Sequence, residues 1–566
     1  MPASKGIEFK LFAPYNDSVS LIGDWNSWEP IPMKKDKKGF WKVSVPLGDG
    51  EYQYKFRVKS KSYFSLDETV DVFDPYATHL SGDQFENSCI IIQQGQPVVT
   101  TYQWRHDKQP LPANKELVIY ELHVGDFTGG PGDGPQGGPK SKGRFGDVLD
   151  KLDYLADLGV GAVELMPVKE FPGEQSWGYV WRSLFAIERA YGSPDELAQL
   201  IDELHGRGIR VILDMVFNHS DLETPLTKIN YEYWYYKDNP DAPHLRWGPK
   251  LNYTHHDANL DVWPARQYAW DAIEYWLDHF HIDGIRFDAA LVLNRDFLTW
   301  VQQNIYQKIG DIKPFYTIAE CIPQDPGIAG PDGPLDAAWH EHFYRQLICT
   351  TVGAPTEGRE PFNLEAIINV LDPRRDGFSG TFNVVNYLNS HDENRLLWQI
   401  SNAGGFYDES AFRRNKLGAG LLLTAPGVPM FWMGEEFGES APRTMEYQPL
   451  DWALLQNDTN SGLLHFYQGL IKLKRTTSAL QNDTFEVILR DDNRGLLAYK
   501  RWDDAGGVVV VVANLRHQYA GEFVLENVGL EDGSWHEYVF NYDNTVQNGV
   551  LRDTLAESEI KIFVKR

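Results

Sequence analysis

The chain has 566 residues, 42% of them hydrophobic and 23% charged, with a formal net charge of −27. That length exceeds what one hydrophobic core usually serves, so several domains are expected, and the composition is globular rather than disordered or fibrous. The acidic excess argues against a nucleic-acid backbone or an anionic membrane as partner, and leaves a neutral ligand unaffected.

Residues 1–95 read as a β-sandwich of immunoglobulin-like size. Short alternating runs at 7–12, 18–22, 40–45, 52–58 and 89–92 are separated by turn residues. A turn, Gly23-Asp-Trp-Asn-Ser-Trp28, precedes Tyr52-Gln-Tyr-Lys-Phe56. Trp28 and Lys55 form a candidate accessory glucan platform, one by stacking and the other by hydrogen bonding. Residues 96–116, rich in Gln, Pro and Thr, read as a linker.

Residues 117–479 alternate strands and helices. Strands are predicted at 117–123, 162–166, 209–216, 284–288, 315–320, 383–389 and 430–433. Helices are predicted at 148–158, 194–205, 266–280, 297–309, 411–423 and 463–474. The segments 337–347 and 364–371 carry no decisive pattern. Some eight units of this kind predict a (β/α)8 TIM barrel. Residues 217–262 are too long for an ordinary loop and read as an inserted subdomain after strand three. Its aromatic run, Tyr231-Glu-Tyr-Trp-Tyr-Tyr236, is expected to serve packing. Residues 480–566 return to β and predict a C-terminal β-sandwich.

Cys89, Cys321 and Cys349 are odd in number and lack metal-ligand spacing, which fits a reducing compartment. The N-terminus has no apolar signal core, and no run of about 18 apolar residues follows. A soluble, cytoplasmic protein is expected; the sequence does not address oligomeric state.

Polar residues gather where barrel chemistry sits, at the C-terminal ends of the strands. Strand three ends in Asp214-Met-Val-Phe-Asn218-His219, strand four in Arg286-Phe-Asp288, and strand five in Ala319-Glu320-Cys321. Strand seven ends in Asn389-Ser-His391-Asp392-Glu393-Asn394, and strand two is followed by Trp177-Gly178-Tyr179. An isolated R-x-D is more often a structural ion pair. Carboxylates at four strand ends change that reading, because their mutual repulsion is costly without a function. Arg286 and Asp288 share a strand face, so the guanidinium is expected to lower the Asp288 pKa.

The blocks DMVFNH, GIRFDAA, AEC and NSHDEN, with AVELMPV at 162–168, resemble the short motifs of the α-amylase family of glycoside hydrolases. VIYELHVGDF at 118–127, SWGY at 176–179 and PMFWMGEEFG at 429–438 resemble the branch of branching enzymes, isoamylases and maltooligosyl trehalose trehalohydrolases. The N-terminal sandwich with GDWNSW resembles their starch-binding-type module.

The resemblance implies Asp288 as nucleophile, Glu320 as general acid/base and Asp392 as the carboxylate that holds sugar hydroxyls. It implies substrate contacts for Tyr179, His219, Arg286 and His391, with Asp214 in support. An α-glucan partner and no organic cofactor follow, and Asn218 is the candidate ligand of a structural calcium. The expected activity is retaining hydrolysis of α-1,4-glucosidic bonds. Branching enzyme is the main alternative, followed by trehalohydrolase and debranching enzyme. A non-catalytic glucan-binding protein is disfavoured because Asp288, Glu320 and Asp392 are all present. Leu291 and Val292 stand where many amylases carry a Lys-His pair.

Overall fold

The computed structural model describes residues 6–82, 86–130 and 141–565. At the N-terminus, Ile7–Phe12 pairs with Phe40–Val45, which also carries Lys34–Lys35. A second sheet runs in the order Gln96–Val98, Ser88–Gln93, Gly50–Lys59, Val19–Gly23 and Ile31–Pro32, with Thr69–Val72 and His79–Leu80 at its sides. Strand periodicity turns Ile7, Phe9 and Leu11 inward, where they meet Leu21, Trp41, Phe56 and Val58. At Gly23 a Cβ would sit 2.3 Å from the Trp25 ring, so only glycine lets that indole fold onto the sheet.

The segment after Val98 is tied to the barrel. The Thr101 N–H donates to Asp195 at 2.8 Å, and the Tyr102 hydroxyl and Arg105 N–H donate to Asp202 at 2.8 and 3.1 Å. Asp195 and Asp202 lie on the helix Pro194–Gly206.

Eight parallel strands close into a barrel: Ile119–Leu122, Ala162–Leu165, Arg210–Met215, Gly284–Phe287, Tyr316–Ala319, Ala337–Trp339, Val384–Tyr387 and Val428–Trp432. The last closes on the first, with Glu121 beside Trp432. Every residue of these strands is buried, as expected for a parallel sheet covered on both faces. The sixth, Ala337–Trp339, is the strand that periodicity does not reveal; three residues are too few to show a pattern. It leads into the helix Glu341–Val352. The single helix expected at 148–158 is two, Phe145–Leu149 and Leu152–Leu158, broken at Asp150 and Lys151.

The excursion 217–262 has no sheet of its own. It holds the helix Pro225–Trp234, interrupted at Asn230, a short 3-10 helix at Pro243–Leu245, and isolated bridges. Its run Tyr233–Tyr235 is buried, and Ile229 belongs to the core of the N-terminal sandwich. The Ile229 carbonyl accepts from the Lys61 N–H at 2.9 Å and from Asn16 Nδ2 at 3.0 Å. The excursion is thus the shelf on which the sandwich sits.

At the C-terminus, a six-stranded sheet ordered Glu486–Asp491, Leu496–Trp502, Val508–Asn514, Ile560–Lys565, Gly533–Glu537, Tyr542–Val546 faces the pair Gly521–Leu525 and Leu551–Leu555. The strand Val508–Asn514 is apolar on both faces. Val509 and Val511 pack with the barrel, whereas Val510 and Val512 pack inside the sandwich. The three cysteines are buried, and no disulfide joins them among the described residues. Among the described residues, no helix is long and apolar enough to cross a membrane.

Candidate active site

Arg286 is the hub. It projects into the barrel from the fourth strand and is wholly buried. Its Nη1 donates to both oxygens of Asp214 at 2.9 Å and to Asp288 Oδ1 at 3.0 Å; its Nη2 lies 3.1 Å from Glu320 Oε2. The guanidinium also lies 4.4 Å from the centre of the Trp339 ring and 5.7 Å from that of Tyr179. One planar cation therefore gathers three carboxylates from three neighbouring strand ends.

Asp288 and Glu320 follow from the backbone. The Asp288 N–H donates to the Met215 carbonyl, and the Glu320 N–H to the Phe287 carbonyl, so each ends its strand in register with the one before. Ala289 then adopts the left-handed conformation, φ 48° and ψ 39°, which is costly for a residue with a Cβ. That twist aims the Ala289 N–H at Glu320 Oε2, 2.7 Å away. Strain next to Asp288 thus goes with an N–H that fixes the neighbouring Glu320.

The Asp288 carboxyl is held above its ordinary range, not below it. Burial and the Glu320 charge push it up, and Arg286 only partly opposes them. The expectation drawn from Arg286 alone fails because it counts one cation and neither the desolvation nor the second acid.

Around these carboxylates stand the other predicted residues. His391 stacks on Tyr179 with ring centres 4.9 Å apart, and its Nε2 lies 3.3 Å from Asp392 Oδ2. The Tyr179 hydroxyl donates to Asp214. Burial would depress His391, but Asp392 and Glu121 outweigh it and raise its pKa to about 9. His219 shows the opposite. Burial pushes it down to about 4, and its Nε2 has no hydrogen-bond partner within the protein. Asp392 is partly exposed; burial would raise it, yet His391, Arg286 and Arg443 hold it low. Tyr179, His219, Asp288, Glu320, His391 and Asp392 all line one cleft of about 440 Å³, closed at its rim by Leu291, Val292, Ile322, Met445 and the half-exposed Trp247.

Several contributors escaped the sequence reading. Trp339 lies on the unassigned sixth strand. Glu121 and Glu164 lie side by side on strands one and two. A charge inside an otherwise apolar strand was the available signal for both. Glu164 is buried with neither oxygen bonded, and burial with Glu121 and Asp214 nearby raises it well above the carboxylate range. Lys169, also buried, is lowered to about 8 by desolvation against the pull of Asp214 and Asp288. Arg443 lies 3.4 Å from Asp392 Oδ1, donates to the His391 carbonyl at 3.0 Å and covers the Trp177 ring.

Trp28 and Lys55 lie elsewhere, at one corner of the N-terminal sandwich. Both are half-buried. The Trp28 N–H donates to the Gly23 carbonyl at 2.8 Å, and Lys55 pairs across from Ile22, the preceding residue.

The residues near Asn218 do not fit a structural calcium. Asn218 Oδ1 is buried without a partner, which supplies one acceptor. Calcium takes six to eight oxygens, carboxylates prominent among them. Among the described residues no three His, Cys, Asp or Glu side chains converge as a metal site. The nearby carboxylate Asp241 and carbonyl Val292 are instead bonded to the Lys250 ammonium, at 2.5 and 2.7 Å.

The family model described as alpha amylase, catalytic domain, matches residues 126–256, and that of carbohydrate-binding module 48 (isoamylase N-terminal domain) matches 1–77. A malto-oligosyltrehalose trehalohydrolase of Saccharolobus solfataricus is 28% identical, with 83% of this chain and 85% of the relative covered. A 1,4-alpha-glucan branching enzyme of Aliivibrio fischeri is 27% identical, with 98% and 79% covered. Among solved structures, the pullulanase of Anoxybacillus sp. LM18-11 complexed with maltotetraose superposes with a TM-score of 0.81 at 19% identity, over 100% of this chain and 87% of that one. Residues 126–256 thus match the catalytic domain of alpha amylase and residues 1–77 a carbohydrate-binding module, and with the closed barrel and the acids at its strand ends these similarities support an enzyme acting on O-glycosyl bonds.

Proposed function

We propose that the protein hydrolyses α-1,4-glucosidic bonds of starch- or glycogen-type glucans with retention of configuration. The observation that carries this reading is the bridging of Asp288 and Glu320 by the two terminal nitrogens of Arg286. One guanidinium keeps the two carboxyls close, in keeping with the separation of about 5–5.5 Å that a double displacement uses. Burial and the neighbouring Glu320 raise Asp288, and the Arg286 N–H bond opposes that rise and favours its charged form.

Glu320, oriented by the Ala289 N–H, donates its proton to the glycosidic oxygen as Asp288 attacks the anomeric carbon. Water, giving its proton to Glu320, then bonds to the anomeric carbon as the glycosyl–Asp288 ester bond breaks. Tyr179 offers the ring on which the sugar stacks. His391 and Asp392 bind its hydroxyls as a donor and an acceptor, and His219, held neutral, contributes a further ring nitrogen. Asp214 anchors Arg286 and Tyr179.

The similarity to a trehalohydrolase over most of both chains favours a second reading, hydrolysis next to a terminal trehalose. Both readings are tested by incubation with linear amylose and, separately, with malto-oligosyltrehalose, following reducing ends and α-1,6 linkages by proton NMR. Reducing ends from amylose, first seen as the α-anomer and without new branches, are expected. Branches without reducing ends would make it a transferase. Turnover confined to the trehalose-ended substrate would select the second reading.

A further inference from the structure

The residues beside Asn218 disagree with a divalent-ion site, and the disagreement has a positive content. Lys250 sits in the excursion, only 7% exposed. Its backbone is bridged to His219 at the end of strand three, and the Leu251 N–H donates to the Asn218 carbonyl at 3.1 Å. From there the ammonium reaches Asp241 Oδ2 at 2.5 Å, within the excursion, and the Val292 carbonyl at 2.7 Å, in the loop after strand four. Asp241 is itself nearly buried. Two segments, the excursion and the loop after strand four, thus converge on one positive charge whose backbone is itself tied to the end of strand three.

The Val292 end matters for chemistry. Val292 closes a tight turn by donating its N–H to the Ala289 carbonyl at 3.1 Å. Ala289 is the left-handed residue whose N–H holds Glu320. A short run of bonds therefore joins the ammonium to the carboxyl: Lys250 Nζ to Val292, Val292 to Ala289, Ala289 to Glu320. A strained residue stays in place only while its surroundings over-determine it. The ammonium restrains the far end of this turn.

We propose that Lys250 is a built-in cation of the cleft rim: its ammonium joins excursion and catalytic loop without a bound divalent ion and, through the 289–292 turn, positions Glu320. This assigns Lys250 a positioning role. It goes beyond the proposed hydrolysis, and only its kinetic arm rests on Glu320 being the acid/base.

The first test needs no variant. Thermal unfolding of the full chain is followed in excess EGTA and in calcium. The same Tm in both is expected; a Tm that falls in EGTA and recovers with calcium overturns the proposal. The second test compares the wild type with Lys250→Met on a maltooligosaccharide, whose leaving group needs a proton, and on α-maltosyl fluoride, whose leaving fluoride needs little help. Mispositioned Glu320 should lower kcat on the oligosaccharide by at least roughly tenfold and on the fluoride much less. Equal losses, or none, overturn the proposal. Should Lys250→Met fail to fold, Asp241→Asn keeps the lysine, loosens its anchor and should show the same bias in smaller degree; equal effects on the two substrates would again overturn it. Glu320→Gln on the same pair keeps the two readings apart. If it shows no such bias, the acid/base assignment fails, while the EGTA result stands by itself.

Discussion

Glu121 grips His391 twice: its Oε1 lies 2.6 Å from the ring Nδ1, and its Oε2 accepts the His391 backbone N–H at 3.0 Å. The two residues are 270 positions apart and meet because barrel strands one and seven flank strand eight. The grip fixes the ring so that Nε2 faces Asp392, and it helps keep the imidazole charged up to about pH 9. Asp392 also raises His391, whereas Arg286 opposes. Glu121→Gln should keep the contact but remove the charge. The alkaline limb of the kcat profile should then move from about 9 toward the ordinary imidazole value of 6.5. Stability follows the same sign. A raised pKa stabilises fully below the unfolded value and is lost as pH climbs through the folded one, so wild-type Tm should decline from about pH 6.5 to 9 and the variant's decline should be shallower. Identical pH profiles would remove Glu121 from this role.

Asp288→Asn, Glu320→Gln and Asp392→Asn should each lower kcat on maltooligosaccharides by about a thousandfold or more. Folding should survive in all three, and at Asp288 burial and crowding by Glu320 already cost stability. Asp288→Asn relieves the repulsion from Glu320 and should leave Tm unchanged or raise it. Calorimetry alongside turnover checks this, and a collapse of Tm in all three variants would mean that the trio is structural.

Arg443 reaches Asp392 from the loop beyond strand eight. Arg443→Gln removes one of the three charges that hold Asp392 low against its burial. A depressed carboxylate stays ionised until the pH falls through its folded pKa, so raising that pKa moves the acid limb of kcat/KM upward. If Asp392 binds sugar hydroxyls as proposed, KM should rise more than kcat falls. Steady-state kinetics from pH 4 upward decide the matter; an unmoved acid limb would show Arg443 to be indifferent to Asp392.

Trp28 is proposed to hold glucan on the N-terminal sandwich. Trp28→Ala should weaken retention on glycogen or starch by roughly tenfold, the worth of one good stacking contact. Turnover of maltotriose should change far less than turnover of glycogen. Affinity electrophoresis in glycogen gels measures the first effect, and unchanged mobility would return Trp28 to packing.

Seven of the eight barrel strands and the carboxylates Asp214, Asp288, Glu320 and Asp392 could be read from the chain, because each lies in a local pattern: an apolar run ending in charge. Ala337–Trp339 could not, and Trp339 was lost with it. Lys250 and Arg443 were illegible for another reason. Each acts on a partner tens of residues away, Val292 and Asp392, and nothing in the neighbouring sequence distinguishes them from solvated charges, whereas Glu121 did carry a signal, a charge inside an apolar strand. The direction of the Asp288 shift failed in the same way, since Glu320 and the burial of the site are properties of the closed barrel.

The seating of the N-terminal sandwich has a consequence for anyone who would trim the protein. Ile229 is a core residue of that sandwich, while Phe12 and Tyr15 lean on Tyr233, and Tyr63 and Phe64 lean on Tyr231. Cutting the chain after Val98 would strip these partners away and leave an aromatic wound on the excursion that also carries Lys250 and Trp247. The module is then less an attachment than a brace for the excursion, which in turn lines the cleft: a truncated enzyme should aggregate, and whatever remains soluble should have a loosened rim.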